Sequence, residues 1–562
     1  MVLRANGIRV LTAALLIAIG SQTMVAAAGG PTGSATAITL DGAHLDWPTM
    51  LRVLHENSVD VRLSESARRQ MATARQGALD TVAGGQRVYG WNQALGPLKD
   101  RPLNSEEQQE FQRRVLRSHA AGTGPALPPR VARLTLVLRA NTMARGTMGV
   151  RPELVDRMLS LVNAGVLPTM PEIGSLGTGD LQPMAAAGLS MIGEANPVFF
   201  EGRQTGAPMA LRAAGLPERF TLEAGEALPL ISGGSALTAR LAEAIDRADR
   251  DIDAFIAGFA LFLEATRAEQ GAFDERTHAE RGIPEQVDAA AQIRSLYCGT
   301  QWMTEAGREL FGQHGPRVQD ATSVRSTPHV LSTLRRTLAA ARDAVVGEAN
   351  ASTSNPLIFP RDSGGHEFVM GGNWAATHLG EHIDRLNAQL ANLAVLSEGL
   401  SGRLLDPDWS YGLPANLAGG PVGLNSGMVQ AETVAAALVP EIQIRANPAS
   451  TLSRPVKGGQ EDLNPMAMAS LRNLADNLDR LDTVLGVQIM MAAQAVDLAR
   501  PRMPGLAMGS GTEAVQAIVR QRIEPLTDDR YLSPDVEAAT ALVRDGALSR
   551  IADEADEKPC AA

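Results

Sequence analysis

The chain has 562 residues, a formal net charge of −11, 44% apolar residues and 20% charged residues. This is the composition of a globular protein with a large core, and the acidic balance without a long Lys/Arg run argues against nucleic acid as a partner. The two cysteines, Cys298 and Cys560, lie far apart, with Cys560 in a polar tail, so neither a structural disulfide nor a metal-binding Cys/His cluster is expected.

At the N-terminus, Arg4 and Arg9 precede an apolar run from Val10 to Ile19, and Ala26-Ala27-Ala28 offers a small-x-small cleavage pattern. The run is too short to cross a bilayer, so residues 1–28 read as a secretory signal and predict a periplasmic or secreted protein beginning near Gly29. Next, "ATAITLDG" predicts a short strand. From "NSEEQQE" at Asn104 onward, apolar residues recur at three-to-four spacing and predict helices. The longest are "LTARLAEAIDRADRDIDAFIAGFALFLEATRAEQ", "STLRRTLAAARDAVVGEA", "LGEHIDRLNAQLANLAVLSEGL", "GMVQAETVAAALVPEIQIRA" and the run from "PMAMAS" to "VDLAR". Between them, "PLIFP" and "EFVMGG" predict two short strands. The expected class is mainly α: one domain over 29–562, built as a loop-rich part (29–230), a central long-helix bundle (231–505), and C-terminal helices with a polar tail (506–562).

Polar, glycine-rich islands interrupt these helices, among them "VYGWNQALGPLKD", "SHAAGTG", "GSLGTGDLQP", "ISGGSALTA", "VQDATSVRSTPH", "EANASTSNPLIF", "GGNWAATHLG" and "GGQEDLNPM". Each alone reads as a cap or turn. Together they predict a site assembled from many loop ends.

The blocks "YGWNQALG", "SHAAGTG", "VQDATSVR", "EANASTSNPL", "GLNSG", "NPAS" and "QED", in this order, resemble the histidine/phenylalanine ammonia-lyase family over nearly everything from Leu40 to Pro504. The resemblance implies a helical subunit, a homotetramer, and active sites that combine loops from three subunits. It places Tyr89 on a mobile loop as general base, with Gly90 and Gly96 as its hinges. It makes Arg325 the partner of a substrate carboxylate, and Glu461 the third catalytic residue. His119, Gln319, Asn355 and Gln460 occupy substrate-binding positions. His278 and Arg281 in "HAERG" read as structural or inter-subunit contacts.

The family builds its electrophile, methylidene-imidazolone, from Ala-Ser-Gly. Here the matching loop reads "GSLGTGDLQPM", with Gly177, Thr178, Gly179 and Asp180 at its centre. Cyclisation would need the Gly179 nitrogen to attack the Gly177 carbonyl, and dehydration of Thr178 would leave a hindered, methyl-substituted alkene. The expectation is therefore no prosthetic group and no other cofactor or metal. Further departures agree: Ser232 stands where the family has Asn, Thr322 where it has Tyr, and Trp374 where it has Phe. Asp180 is expected to cap the helix that starts near Leu181.

Without an electrophile a primary ammonium leaves badly, because a base able to take the C–H proton takes the N–H proton first. A trimethylammonium group has no N–H and keeps its charge. The leading expectation is a carbon–nitrogen lyase that expels such a group from an aromatic amino-acid betaine, trimethylhistidine or its thiolated form, as an ergothionase-like branch would. Trp91 and Trp374 could face the quaternary ammonium or simply pack. Two alternatives stay open: a non-catalytic secreted binding protein on this scaffold, and an ammonia-lyase with an atypical prosthetic group made from Gly-Thr-Gly.

Overall fold

Long helices dominate the computed structural model, which describes residues 37–556, with side chains to 551. The predicted secretory signal and Cys560 lie outside the described residues. Strand β1 (Ile38–Leu40) pairs in parallel with β2 (Val61–Leu63), Ile38 opposite Val61. Ser64 then caps α1 (Glu65–Ala83) through the Ala67 N–H. The predicted start at Asn104 is a full capping box: its side chain accepts from the Glu107 N–H while the Glu107 carboxylate accepts from the Asn104 N–H, opening α2 (Ser105–His119).

The five long periodic runs become α3 (Ser235–Thr266), α4 (Thr327–Ala349), α5 (Thr377–Leu404), α6 (Val429–Arg445) and α7 (Ala467–Ala499). α7 packs against α3, α5 and α6. Its middle, from Val484 to Val496, is buried on every side, so the amphipathic stripe widens there to the whole circumference. α3 ends where Arg267 turns left-handed (φ 51°). The predicted strands Leu357–Pro360 and His366–Val369 form an antiparallel hairpin, Leu357 opposite Val369. Short strands at 167–168, 197–200 and 203–206 were not expected; their two-to-four-residue length gives no alternation to read.

One cysteine expectation is corrected. Cys298 is disulfide-bonded, against the expectation of no structural disulfide.

Candidate active site

A cavity of about 660 Å³ opens where the loop ends meet. Tyr89, His119, Thr178, Ser232, Asn355, Trp374, Gln460 and Glu461, all named above, line it. Arg87, Lys99, Asp100, Met370 and Lys457 line it as well and were not anticipated.

Tyr89 reaches the cavity because its loop is pinned on the other side. Asn92 holds the turn, accepting from the Val88 N–H at 2.7 Å and donating to the Gln86 carbonyl at 2.8 Å. Gly90 (φ 74°) reverses the side-chain direction, so Tyr89 faces the cavity while Trp91 faces inward. Trp91 is buried against Phe368, ring centroids 5.7 Å apart, and under the Arg75 guanidinium at 4.7 Å. It is therefore the loop's anchor and not a wall of the cavity. The Tyr89 phenol oxygen accepts from the Gly96 N–H at 2.8 Å. Burial pushes the phenol's pKa up, the Gly96 hydrogen bond pulls it down, and the Glu461 charge pushes it up again.

His119 ends α2 and donates from Nδ1 to the Val115 carbonyl at 2.8 Å, an assignment that follows from the acceptor. Nε2 is then an acceptor. Burial, and the nearby Lys457, hold this histidine below its usual pKa and so neutral at pH 7. Ser232 is buried at the end of the 227–231 helix. The Asn355 side chain accepts from the Gly371 N–H at 2.8 Å.

The loop from Gly174 to Met184 lies under this cavity. Thr178 forms a bridge with Ala375, and the Gly177 carbonyl accepts from the Ala376 N–H at 2.9 Å. The Thr178 hydroxyl donates to Asn464 Oδ1 at 3.0 Å and stands 3.3 Å from Glu461 Oε2. Asn464, in the quoted "EDLNPM", is a contact that sequence reasoning missed.

Asp180 corrects the expectation of a local cap. It occupies the N-cap position of the Leu181–Met191 helix but makes no side-chain bond to it. Its carboxylate instead accepts from the Ala236 and Leu237 N–H groups at 2.8 and 2.9 Å, capping α3, and from the Ser175 hydroxyl at 2.7 Å. α3 lacks any side-chain cap of its own at Gly234, so its first N–H groups are the unsatisfied donors that this carboxylate meets. Burial raises the Asp180 pKa against these donors, with Arg139 lowering it. Arg139 is itself fully buried and pulled down to about 9, and Glu348 beside them is pushed up to about 7, both mainly by burial.

Gln319, Thr322 and Arg325 do not line the cavity within one chain. Arg325 donates from Nε to the Asp320 carbonyl at 2.7 Å, and Gln319 and Thr322 are exposed. His278 is buried, with Nδ1 2.8 Å from the Gln286 side-chain nitrogen, as a structural residue should be.

Comparison with known proteins gives this geometry a family. A profile described as aromatic amino acid lyase matches residues 45–521. The chain is 35% identical over 494 residues to histidine ammonia-lyase of Idiomarina loihiensis, covering 87% of this chain and 93% of that protein. It superposes on tyrosine aminomutase from Streptomyces globisporus with a TM-score of 0.86, at 30% identity, covering 94% of this chain and 100% of that one. It superposes on ergothionase from Treponema denticola, solved with desmethyl-ergothioneine sulfonic acid, with a TM-score of 0.85 at 25% identity, covering 91% and 99%. The chain belongs to the aromatic amino acid lyase family and is a carbon–nitrogen lyase.

Proposed function

We propose that the protein eliminates a pre-activated quaternary amine, trimethylamine, from an aromatic amino-acid betaine, with Tyr89 as base and no methylidene-imidazolone. The observation that carries this reading is Thr178. It stands where the family's electrophile forms, but it is fixed in a β-bridge with Ala375, its hydroxyl bound to Asn464. Gly177, whose carbonyl carbon would have to be attacked, is tied through its oxygen to Ala376. What weighs against cyclisation is the threonine in place of serine, whose dehydration would leave a hindered, methyl-substituted alkene: the residues present do not fit the group.

The reaction then needs a base from the cavity and a carboxylate partner from a neighbouring copy. Tyr89 takes the proton from Cβ, the C–H electron pair becomes the Cα=Cβ double bond, and the C–N pair departs with trimethylamine. The quaternary nitrogen cannot lose its charge first, so no electrophile is required. Trp374 lines the cavity, where an aromatic side chain suits such a cation. Arg325 pairs with the substrate carboxylate when delivered by a neighbouring copy of the chain in a homotetramer. Exposed apolar residues such as Leu424, Ile444, Leu452 and Leu463 support such self-association. The ergothionase neighbour, 25% identical, supports the quaternary-amine branch, while the curated relatives, 35% identical, are named histidine ammonia-lyases, so the choice between the branches rests on the loop at Thr178. A disulfide at Cys298 and the N-terminal signal pattern support an oxidising compartment, the periplasm or the medium.

The test is a paired turnover assay on the mature protein, following absorbance of the conjugated acrylate. Trimethylhistidine should react and histidine should not. Tyr89→Phe should lower turnover about 10²–10⁴-fold while ligand binding survives. Turnover of histidine would overturn the reading, and silence with binding intact would move the protein to a non-catalytic role.

A further inference from the structure

The Gly174–Met184 loop rests on a buried knot of charges, and one member of that knot has no task in the chemistry above. Glu348, the last residue but one of α4, brings a second carboxylate beside Asp180 and Arg139. It shares a small enclosed space with Thr142, Ser235, Thr238 and Thr353, and its side chain is only 10% exposed. Among the described residues no N–H or O–H group hydrogen-bonds this carboxylate. His378 Nε2 stands 3.5 Å from Glu348 Oε2, the distance of a loose ion pair and not of a good hydrogen bond. Asp180, by contrast, has three donors, and Arg139 directs its N–H groups at the Pro229 and Thr353 carbonyls.

The neighbours of Glu348 also hold the floor of the cavity. At Gly234, where α3 begins, a Cβ would lie 3.2 Å from Glu348 Oε1 and 3.7 Å from the Ala376 methyl. Ala376 is the residue whose N–H holds the Gly177 carbonyl, and Ala375 before it bridges Thr178. Trp374 lines the cavity, and His378 lies in the first turn of α5. One short segment, 374–378, thus carries a cavity wall, two ties to the loop and the group that faces Glu348. Arg139 makes the link on the other side. The carbonyls it holds at Pro229 and Thr353 lie three and two residues before Ser232 and Asn355, both in the cavity lining.

A carboxyl group suits this place only while it keeps its proton. Burial and the Asp180 charge push the Glu348 pKa up to about 7, with Arg139 pulling it down. His378 is held below its usual pKa by burial and by His382, one turn further along α5. Asp180, Arg139 and His378, with His382 behind it, are the charged and titratable groups that face Glu348. Once ionised, Glu348 is a buried charge without donors beside a like charge, and it competes with two carbonyls for Arg139. Filling space would need no ionisable group here.

We propose that Glu348 is a positioning residue with a proton switch: protonated, it lets the 374–378 segment close on Gly177 and Thr178, and ionised, it loosens that segment and the cavity floor with it. This role is independent of the substrate's leaving group. The sign follows from linkage. The closed segment holds the Glu348 proton more tightly than the open one, so closure is favoured at low pH and is lost as pH rises toward 7. Protonation of His378 opposes this trend only at the acid end.

The experiment is hydrogen–deuterium exchange of the full-length protein, read by mass spectrometry and corrected for the intrinsic pH dependence of exchange. Protection of peptides covering 174–184 and 374–380 should fall about tenfold from pH 6 to pH 8, while peptides from the buried middle of α7 stay constant. Glu348→Gln keeps the shape without the charge and should hold the pH 6 protection at pH 8. Glu348→Met, a second neutral variant, should do the same. Constant protection in the wild type, a fall shared by α7, or a fall that persists in either neutral variant would overturn the role. Failure of both variants to fold would overturn it too, by making Glu348 a structural residue only.

Discussion

Thr178 and Asp180 are two residues apart on one loop, and both are buried, yet their surroundings differ in kind. Thr178 lines an open cavity, and the partners of its hydroxyl, Asn464 and Glu461, sit on a separate turn. Asp180 sees no solvent. It ties Ser175, the first turn of α3 and the Arg139 field into one knot. The Thr178 end can change residue and keep the fold, because water can replace what a small hydroxyl loses. The Asp180 end cannot, because its partners have no alternative. A loop that carries chemistry at one end is held by unexchangeable bonds at the other.

The largest effect should therefore come from Asp180→Ala. It removes the cap of a 32-residue helix and a negative charge that helps keep a fully buried arginine ionised. The cost should be a multiple of the about 1–3 kcal/mol of one buried donor left unsatisfied, since the Ala236 and Leu237 N–H groups and the Ser175 hydroxyl all lose their acceptor. A clear fall in the thermal midpoint checks it. A midpoint equal to that of the wild type would mean that Asp180 is no more structural than Thr178, and the contrast would be gone.

Glu461→Gln sharpens the cavity side. Glu461 raises the Tyr89 pKa, so its charge works against the phenolate that elimination needs. With a neutral glutamine, Lys457 loses its ionic partner and its charge acts in the same direction as the removal. The sign follows: the alkaline limb of the kcat/KM profile, where activity rises as Tyr89 ionises, should move to lower pH. A limb that stays in place would separate Tyr89 from that ionisation. The fold should be almost untouched, since Glu461 sits on a partly exposed turn.

The helices of the bundle were legible because each long run carries its own period: α3 and α7 differ from their predicted bounds by a few residues at most. The site was legible only where a loop block is self-contained. Tyr89, His119 and Glu461 meet as the blocks implied. Asp180 was misread because the donors it satisfies lie at 236 and 237, invisible to any rule that looks four residues ahead. Lys457 was not singled out because it stands one residue before the quoted block that begins at Gly458. Its left-handed backbone (φ 52°) leaves no trace in residue type. Trp91 and Trp374 are the same residue in loops of similar composition, yet Trp91 packs on Phe368 and Arg75 while Trp374 lines the cavity.

Thr178→Ala should have the smallest effect on the fold and the most to say about the chemistry. It forfeits one hydroxyl hydrogen bond at the cavity wall, worth about 0.5–1.5 kcal/mol. The bridge to Ala375 is made by backbone and survives. If elimination runs on the leaving group's own charge, turnover of the betaine should stay within about tenfold of the wild type, the loss expected from one misplaced neighbour of Glu461. A prosthetic group drawn from Gly177-Thr178-Gly179 would need the threonine side chain to lose water. An alanine has none to lose. Complete loss of activity in Thr178→Ala, with the melting curve unchanged, would thus put the chemistry back into the loop and take it away from the substrate's nitrogen.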